Sequence, residues 1–248
     1  MENIKLSKRL LNVAEMITPG GVVADIGTDH GYLPIYLSQQ KLADRVIAMD
    51  VNKGPLEKAC TNIAACNLES QIETRLSDGL DKLEPGEADT ITICGMGGRL
   101  ICKILEVGKN VAHAAQELIL SPQSEIMQFR EYISENGFGI REERMVYEEG
   151  KYYFIFHVSS ETGDTKAGVK SDATAKTAEE QAVYLRYGRY MLEKKDQVLK
   201  AFMEKELKKF RNVRANVASC ESANAEERLA EIDYEMKCIE EGLKYYDR

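Results

Sequence analysis

At 248 residues, the chain is long enough for one large domain and a smaller one attached to it. The hydrophobic fraction of 44% and the charged fraction of 30% are ordinary for a soluble protein, and no apolar run approaches the roughly 18 residues of a membrane-spanning helix. A net charge of −8 argues against nucleic-acid binding by the chain as a whole, so such a partner would need a local basic surface.

The cysteines and histidines exclude the common zinc-binding patterns. None of the six cysteines forms a CxxC pair, and the three histidines are scattered along the chain. We therefore expect no metal, no membrane association, reduced and mostly buried thiols, and a cytoplasmic location.

The predicted elements begin with an amphipathic helix in residues 1–17, whose apolar spacing is that of a helix rather than a signal peptide. Short apolar runs and helical patterns then alternate. The predicted strands are 21–27, 44–50, 71–76, 88–95 and 117–122, and the predicted helices lie near 31–41, 53–67, 97–107 and 123–136. This order predicts an α/β Rossmann-like fold, a parallel sheet with helices on both faces.

Residues 138–158 predict two strands around the sequence EEGK, with no room for a helix, and hence an antiparallel hairpin. A parallel sheet that ends in such a hairpin resembles the class I methyltransferases, which use S-adenosylmethionine. Residues 160–180 are small and polar and predict a linker. Two later apolar stripes, separated by residues 218–227, predict an antiparallel coiled-coil hairpin. We therefore expect a methyltransferase domain in residues 1–160 and a helical hairpin in residues 175–248.

Acidic residues stand at or just after the ends of the first three predicted strands. The spacing of Gly27 and Gly31 does not fit the nicotinamide fingerprint G-x-G-x-x-G. Asp50 is placed to accept hydrogen bonds from ribose hydroxyls, and Asp78 to accept one from the amine of an adenine. With Asp25, these acids are typical of an S-adenosylmethionine site; for each acid alone, the alternative is a solvated loop position.

The fourth predicted strand runs into the glycine-rich sequence CGMGGRL, residues 94–100. Three glycines leave room for a flat group beside the backbone, whereas a flexible loop that caps the next helix is the alternative. The N/D-P-P-Y motif of amino-directed adenine methyltransferases is absent, which argues against an exocyclic amine as the methyl acceptor.

Together, the sequences ADIGTDHGYLP, AMDVN, SDGL, ICGMGG, LILSPQS and EEGKYYFI closely resemble the bacterial tRNA (adenine-22-N1)-methyltransferase family, over residues 4–158. The resemblance implies methyl transfer from S-adenosylmethionine to N1 of an adenine in the D-arm of tRNA. One departure is Ser121-Pro122-Gln123, where the family often has Gln-Pro-Asn, so a role for these side chains stays open.

On this basis we assign candidate site residues. The catalytic candidates are Asp29 and Tyr32; Asp29 faces either the adenine edge or the methionine amine, and Tyr32 either stacks on the base or packs. The cofactor-binding candidates are Asp25, Gly27, Thr28, Asp29, His30, Gly31, Asp50, Val51, Asp78, Gly79, Gly95 and Met96. The substrate-binding candidates are Gly97, Gly98, Lys5, Arg9, Arg186, Arg189, Lys194, Lys195, Lys208, Lys209 and Arg211.

The basic candidates come mostly from residues 176–214, which hold 11 Lys and Arg against 6 Asp and Glu. This excess favours contact with tRNA phosphates, although the charges could instead pair across the hairpin. Two other functions stay open: a methyltransferase for another RNA or a small molecule, and a binding protein that keeps the fold without turnover. A monomer fits the sequence, and pairing of the hairpin seams between chains is the alternative.

Overall fold

The protein is described by a computed structural model for residues 4–160, 177–219 and 225–247. It divides into two compact units, of which the first holds residues 4–160 and the second holds the other described residues. Residues 161–176 of the predicted linker and residues 220–224 of the predicted reversal lie outside the described residues.

The first unit alternates helices and strands in the predicted order. Its helices are α1 (Lys8–Met16), α2 (Tyr32–Gln39), α3 (Lys53–Ala65), α4 (Gly98–Val107), α5 (Lys109–Ala114) and α6 (Ile126–Glu135). Its strands are β1 (Val22–Ile26), β2 (Arg45–Asp50), β3 (Ile72–Leu76), β4 (Thr90–Cys94), β5 (Glu117–Ser121), β6 (Phe138–Glu148) and β7 (Lys151–Ser160). The short helix α5 is the one element in this unit that the sequence pattern did not predict.

The seven strands form one sheet in the order β3-β2-β1-β4-β5-β7-β6. The first five strands are parallel, and β7 pairs antiparallel with both β5 and β6. The predicted class I methyltransferase fold, with its terminal hairpin, is therefore confirmed. The strand order reverses between β1 and β4, and in open α/β sheets ligands bind at the carboxyl ends of the strands beside such a reversal.

The core of the first unit lies on both faces of the parallel strands. Val23, Ile47, Ile91 and Ile119, one from each of four adjacent strands, are fully buried. Parallel strands that are covered on both faces of the sheet are expected to consist of nearly continuous apolar residues, and these segments of the sequence do.

Helix α1 packs against the β6–β7 hairpin, although it precedes the sheet in sequence. The Ser7 hydroxyl caps the helix by accepting from the Leu10 amide, and the Glu148 carboxylate of the hairpin accepts from the backbone amides of Lys8 and Arg9. A carboxylate at a helix N-terminus also interacts favourably with the helix dipole. These contacts fix the position and rotation of α1.

The second unit contains four described helices, where the sequence predicted a hairpin of two. They are α7 (Ala178–Tyr187), α8 (Arg189–Glu193), α9 (Gln197–Ala218) and α10 (Ala225–Leu243). Helices α9 and α10 are antiparallel, since Arg214 near the end of α9 pairs with Asp233 in the first half of α10. Apolar residues between them, such as Met203 and Ile239, are buried.

No helix among the described residues has the length and apolar character needed to cross a membrane. The five cysteines in the described part of the chain are free thiols. The expectation that most cysteines are buried is wrong for these five, because Cys238 is buried, Cys60 is exposed, and the other three are half-buried.

Candidate active site

A cavity of about 470 Å³ lies at the carboxyl edge of the sheet, where the strand order reverses. Residues that follow β1, β2, β3, β4 and β5 all contribute to its lining. The carboxylates that line it are Asp29, Asp50 and Asp78. Its size is within the range of pockets that hold small molecules and cofactors.

The turn after β1 forms the floor of the cavity. The backbone amides of Gly27 and Thr28 both donate to the Met49 carbonyl at 2.8 Å, which ties this turn to β2. Gly27 has φ +75°, and a Cβ at this position would collide with the Cε of Met96. Glycine is therefore favoured here by the backbone conformation, whereas the Met96 methyl group ends a flexible side chain that can move aside.

Asp25 lies beneath this floor rather than in its lining. Burial raises the pKa of the Asp25 carboxyl, while a hydrogen bond from the Thr92 hydroxyl, 2.7 Å long, acts in the opposite direction. Thr28 is also buried and does not line the cavity. Neither residue therefore contributes to the lining of the cavity.

The ends of β2 and β3 meet in one hydrogen-bonded arrangement. The Asp50 Oδ1 accepts from the Asn52 amide at 2.6 Å, and the Asp50 carbonyl accepts from the Ser77 amide at 2.9 Å. Ser77 in turn donates from its hydroxyl to the Gly79 carbonyl. The structure thereby brings Asp50 and Asp78 to one wall of the cavity, together with Val51 and Gly79.

The glycine-rich loop after β4 divides into two parts. Gly95, with φ +83°, and Met96 line the cavity, and the Met96 carbonyl accepts from the Gln123 amide at 2.9 Å. Gly97 and Gly98 do not line it. A Cβ on Gly98 would lie 2.5 Å from the Ser124 carbonyl oxygen, and one on Gly97 would lie 3.0 Å from the Ser124 hydroxyl. The loop before α6 therefore lies beside both glycines, and their contact with a target base stays a prediction.

The thiol of Cys94, at the end of β4, also lines the cavity. Burial raises the pKa of this thiol to about 12, so it stays protonated at neutral pH. Cys94 therefore supplies neither a base nor a nucleophile.

Asp29, His30 and Tyr32 form a cluster at the rim. The Asp29 side chain lines the cavity and is 82% exposed, and its Oδ1 lies 3.3 Å from the His30 Nε2. The His30 and Tyr32 rings stack with centroids 5.4 Å apart, outside the cavity lining. Gly31, with φ +70°, begins α2 and faces Ala59 instead of the cavity. Of this predicted set, only Asp29 reaches the cavity.

The basic candidates of the second unit are mostly engaged with acids of the same unit. Arg186 pairs with Glu235 and Arg211 with Glu240, across helices, whereas Arg189 pairs with Glu193 and Lys209 with Glu206 along one helix. Lys208 is exposed, as is Lys5 in the first unit. Lys194 is the C-cap of α8, and Lys195 follows it. Pairing across the hairpin, one of the two alternatives from the sequence, thus accounts for Arg186 and Arg211.

Several residues of the cavity escaped the sequence analysis as cofactor candidates. They are Ile26, Asn52, Ser77, Cys94, Leu100, Ile104 and Gln123, with Arg9, which was assigned to the substrate. Gln123 follows the end of β5, so the rule that ligands bind at strand ends would have found it. No local pattern indicates Arg9, because α1 reaches the cavity only through its packing on the β6–β7 hairpin.

Comparisons with known proteins agree with this geometry. The model of the tRNA (adenine(22)-N(1))-methyltransferase family matches residues 23–241. A tRNA (adenine(22)-N(1))-methyltransferase of Bacillus subtilis is 41% identical over 167 residues, which are 67% of this chain and 69% of that protein. The crystal structure of the B. subtilis m1A22 tRNA methyltransferase TrmK is 31% identical, with a TM-score of 0.82, and the match covers 97% of this chain and 100% of that one.

A second solved structure, TrmK of M. capricolum, was determined in complex with S-adenosyl-homocysteine. It is 27% identical, with a TM-score of 0.79, and the match covers 97% of this chain and 98% of that one. Because the family model and these structures each match most of the chain, this protein belongs to the tRNA (adenine(22)-N(1))-methyltransferase family.

Proposed function

We propose that this protein transfers the methyl group of S-adenosylmethionine to N1 of adenine 22, in the D-arm of tRNA. The observation that carries the proposal is the cavity at the strand-order reversal, with carboxylates after β1, β2 and β3, in a chain of this family. The relative from B. subtilis is named for this reaction, and the structure from M. capricolum was solved with the cofactor's product.

The strand order suggests how the cofactor lies. Asp50, after β2, accepts hydrogen bonds from the ribose hydroxyls, and Asp78 with Gly79, after β3, holds the adenine. The methionine part then extends past Gly27 toward Gly95, because β1 and β4 follow in the sheet. Hydrogen bonds to a charged group contribute about 1.5–3 kcal/mol each, so Asp50 is expected to be a major source of affinity.

The transfer itself needs little acid–base chemistry. The N1 lone pair of adenine attacks the methyl carbon, the bond from carbon to sulfur breaks, and its electron pair returns to sulfur. The products are the neutral thioether S-adenosylhomocysteine and a cationic 1-methyladenine. The enzyme therefore has to hold N1 in line with the methyl and sulfur atoms, which is chiefly a matter of positioning.

Asp29 is the residue that contacts the target base in this proposal. Its carboxylate is at the rim of the cavity and mostly exposed, where an incoming adenine would meet it. A carboxylate there stabilises the positive charge that develops on the base and can accept a proton from N6. The stacked His30 and Tyr32 rings lie beside it and offer a surface for a neighbouring base.

The second unit supplies the phosphate contacts in this proposal. Turning an adenine out of folded tRNA costs a few kcal/mol, which contacts to the backbone offset. The Arg186 side chain is 15% exposed and paired with Glu235, which makes it a weaker candidate for a phosphate contact. Ion pairs between exposed side chains, such as Arg211–Glu240 and Arg214–Asp233, contribute little to stability, so a phosphate can replace the acid at little cost. Lys208 and these two arginines are the stronger candidates.

The proposed function is tested by methylation of two transcripts. The protein is incubated with methyl-labelled S-adenosylmethionine and a tRNA carrying A22, with the matched transcript carrying G22 as the control, and nucleosides are then analysed. We expect 1-methyladenosine from the A22 transcript only. Label in another nucleoside, or equal label in both transcripts, would favour a different RNA target. No label with any RNA, despite cofactor binding, would favour a binding protein without turnover.

A further inference from the structure

Among the described residues, Arg9 is the single cationic side chain in the lining of the cavity, whereas three carboxylates line it. The guanidinium lies beside Gly95, with Nη1 and Nη2 at 3.6 and 4.0 Å from the position that a Cβ of Gly95 would occupy. The group is thus at the β4 side of the cavity, across β1 from the wall that Asp50 and Asp78 form.

The guanidinium of Arg9 is held in place without a direct ion pair, although it interacts electrostatically with the buried Asp25 carboxylate. Its Nη1 is buried and has no hydrogen-bond partner among the described residues, and no carboxylate of the described chain forms an ion pair with it. The carbon Cζ lies 5.2 Å from the centre of the Tyr153 ring, on the adjacent strand β7, in a cation–π contact. A buried donor that lacks an acceptor is costly, so such a group is expected to meet an acceptor when a ligand binds.

The rest of α1 explains how Arg9 is aimed. Glu148 accepts from the backbone amide of Arg9, and Val13, Ala14 and Met16 on the same helix are buried. Because these contacts do not involve the guanidinium, the helix stays in place when the side chain of Arg9 is changed. The guanidinium is therefore presented to the cavity by a rigid element.

The charge of the cofactor completes the argument. The methionine end of S-adenosylmethionine carries an α-carboxylate, which must enter a cavity lined by carboxylates. A guanidinium matches a carboxylate with two parallel hydrogen bonds, and this pairing is strongest in a water-poor site. With ribose and adenine at the β2 and β3 wall, the methionine end lies beside Gly27 and Gly95, where the Arg9 guanidinium is found.

We propose that Arg9 binds the α-carboxylate of the cofactor's methionine moiety, and so acts in cofactor binding rather than in contact with tRNA, the role that the sequence suggested. This inference rests on the proposed function, since it takes S-adenosylmethionine as the cofactor. It makes α1 and the β6–β7 hairpin part of the cofactor site, in addition to the ends of the parallel strands.

The test compares two ligands that differ in this carboxylate. Calorimetry measures S-adenosylhomocysteine and its decarboxylated form, which lacks only this carboxylate, on the wild-type protein, Arg9→Gln, Arg9→Lys and the control Lys8→Gln. The control changes a neighbouring exposed cation on the same helix. For Arg9→Gln we expect about a 10- to 100-fold rise in the Kd of S-adenosylhomocysteine and less than about a 2-fold change for the decarboxylated ligand. Arg9→Lys should lie between, because it keeps the charge and loses the second hydrogen bond.

An equal loss for both ligands in Arg9→Gln would overturn the assignment, as would no loss for either. If Arg9→Gln loses affinity for neither ligand but binds tRNA more weakly, Arg9 contacts the RNA instead. If the wild-type protein binds S-adenosylhomocysteine, either result refutes only the role of Arg9 and leaves the proposed function standing. If the wild-type protein binds neither ligand, the proposed function fails and this inference fails with it.

Discussion

Glu117, at the start of β5, is expected to make the first unit sensitive to acid. Its carboxylate is 3% exposed and accepts from the Thr18 amide and hydroxyl at 2.8 Å and from the Thr90 hydroxyl at 2.9 Å, while the His157 Nε2 lies 2.9 Å away. Burial alone would raise the pKa of Glu117, but these hydrogen bonds outweigh it and lower the pKa to about 2, from an ordinary value of 4.5.

A folded pKa below the unfolded one means that the ionised form stabilises the folded state. The stabilisation is complete above the unfolded pKa and is lost as the pH falls toward about 2. The shift corresponds to about 3 kcal/mol at pH 7 and about 2 kcal/mol at pH 3.5. Glu117→Gln removes the charge and keeps the shape, so it should lower the free energy of unfolding by about 3 kcal/mol at pH 7 and by about 1 kcal/mol less at pH 3.5.

The assay is urea unfolding at several pH values, followed by hydrogen exchange of peptides from β4 and β5, which report on the first unit alone. The matched control is Glu135→Gln, an exposed glutamate at the end of α6, whose effect should stay within about 0.5 kcal/mol at every pH. The reasoning is refuted if Glu117→Gln costs less than about 1 kcal/mol at pH 7, or if its cost is the same at pH 7 and pH 3.5.

Three further predictions concern the site. Gly27→Ala should abolish binding of S-adenosylhomocysteine, measured by calorimetry. The control Gly86→Ala, at a similar φ of +80° but with open space around it, should lower only the stability, measured as Tm. Equal binding by the two variants would contradict this prediction. Asp29→Asn should lower kcat about 100-fold or more and change the Kd of S-adenosylhomocysteine less than about 3-fold, and full turnover would remove Asp29 from the chemistry. Lys208→Gln should weaken tRNA binding. In titrations at several salt concentrations, the slope of log binding constant against log salt concentration should fall by the amount expected for about one phosphate contact. An unchanged slope would exclude that contact.

The cofactor wall of the site could be predicted from sequence because its signals are local. Asp50 and Asp78 each follow an apolar strand directly, and parallel strands bring their carboxyl ends to one edge. Once the alternation of strands and helices is recognised, their proximity in the cavity follows from topology. The same rule extends to Gln123 after β5, whose amide is bound to the Met96 carbonyl across the edge.

The sequence does not show which glycines face a ligand, nor which charged side chains pair with each other. Gly95 faces the cavity, whereas Gly98, three residues later, allows the backbone of Ser124 to approach. The absence of a Cβ makes room for a ligand or for a neighbouring chain segment, and the sequence does not distinguish the two. Likewise, a run of basic residues predicts a basic surface, but the acids that partner Arg186 and Arg211 lie 49 and 29 residues away on another helix. The composition of a segment gives its net charge but does not show which basic residues form ion pairs with acids elsewhere in the chain.

Arg9 shows where non-local packing decides function. Nothing in the sequence around it distinguishes Arg9 from Lys5 or Lys8, which are exposed cations of the same segment. The difference arises because Glu148 and Tyr153, on the two strands of a hairpin about 140 residues away, fix the helix and stack on the guanidinium. In the sequence, the terminal hairpin only indicates the fold class. In the structure, its packing on α1 makes Arg9 the one cation that the described residues contribute to the cavity. A change in the hairpin, such as Glu148→Gln, should then weaken binding of S-adenosylhomocysteine through Arg9, and in an Arg9→Gln background it should have little further effect.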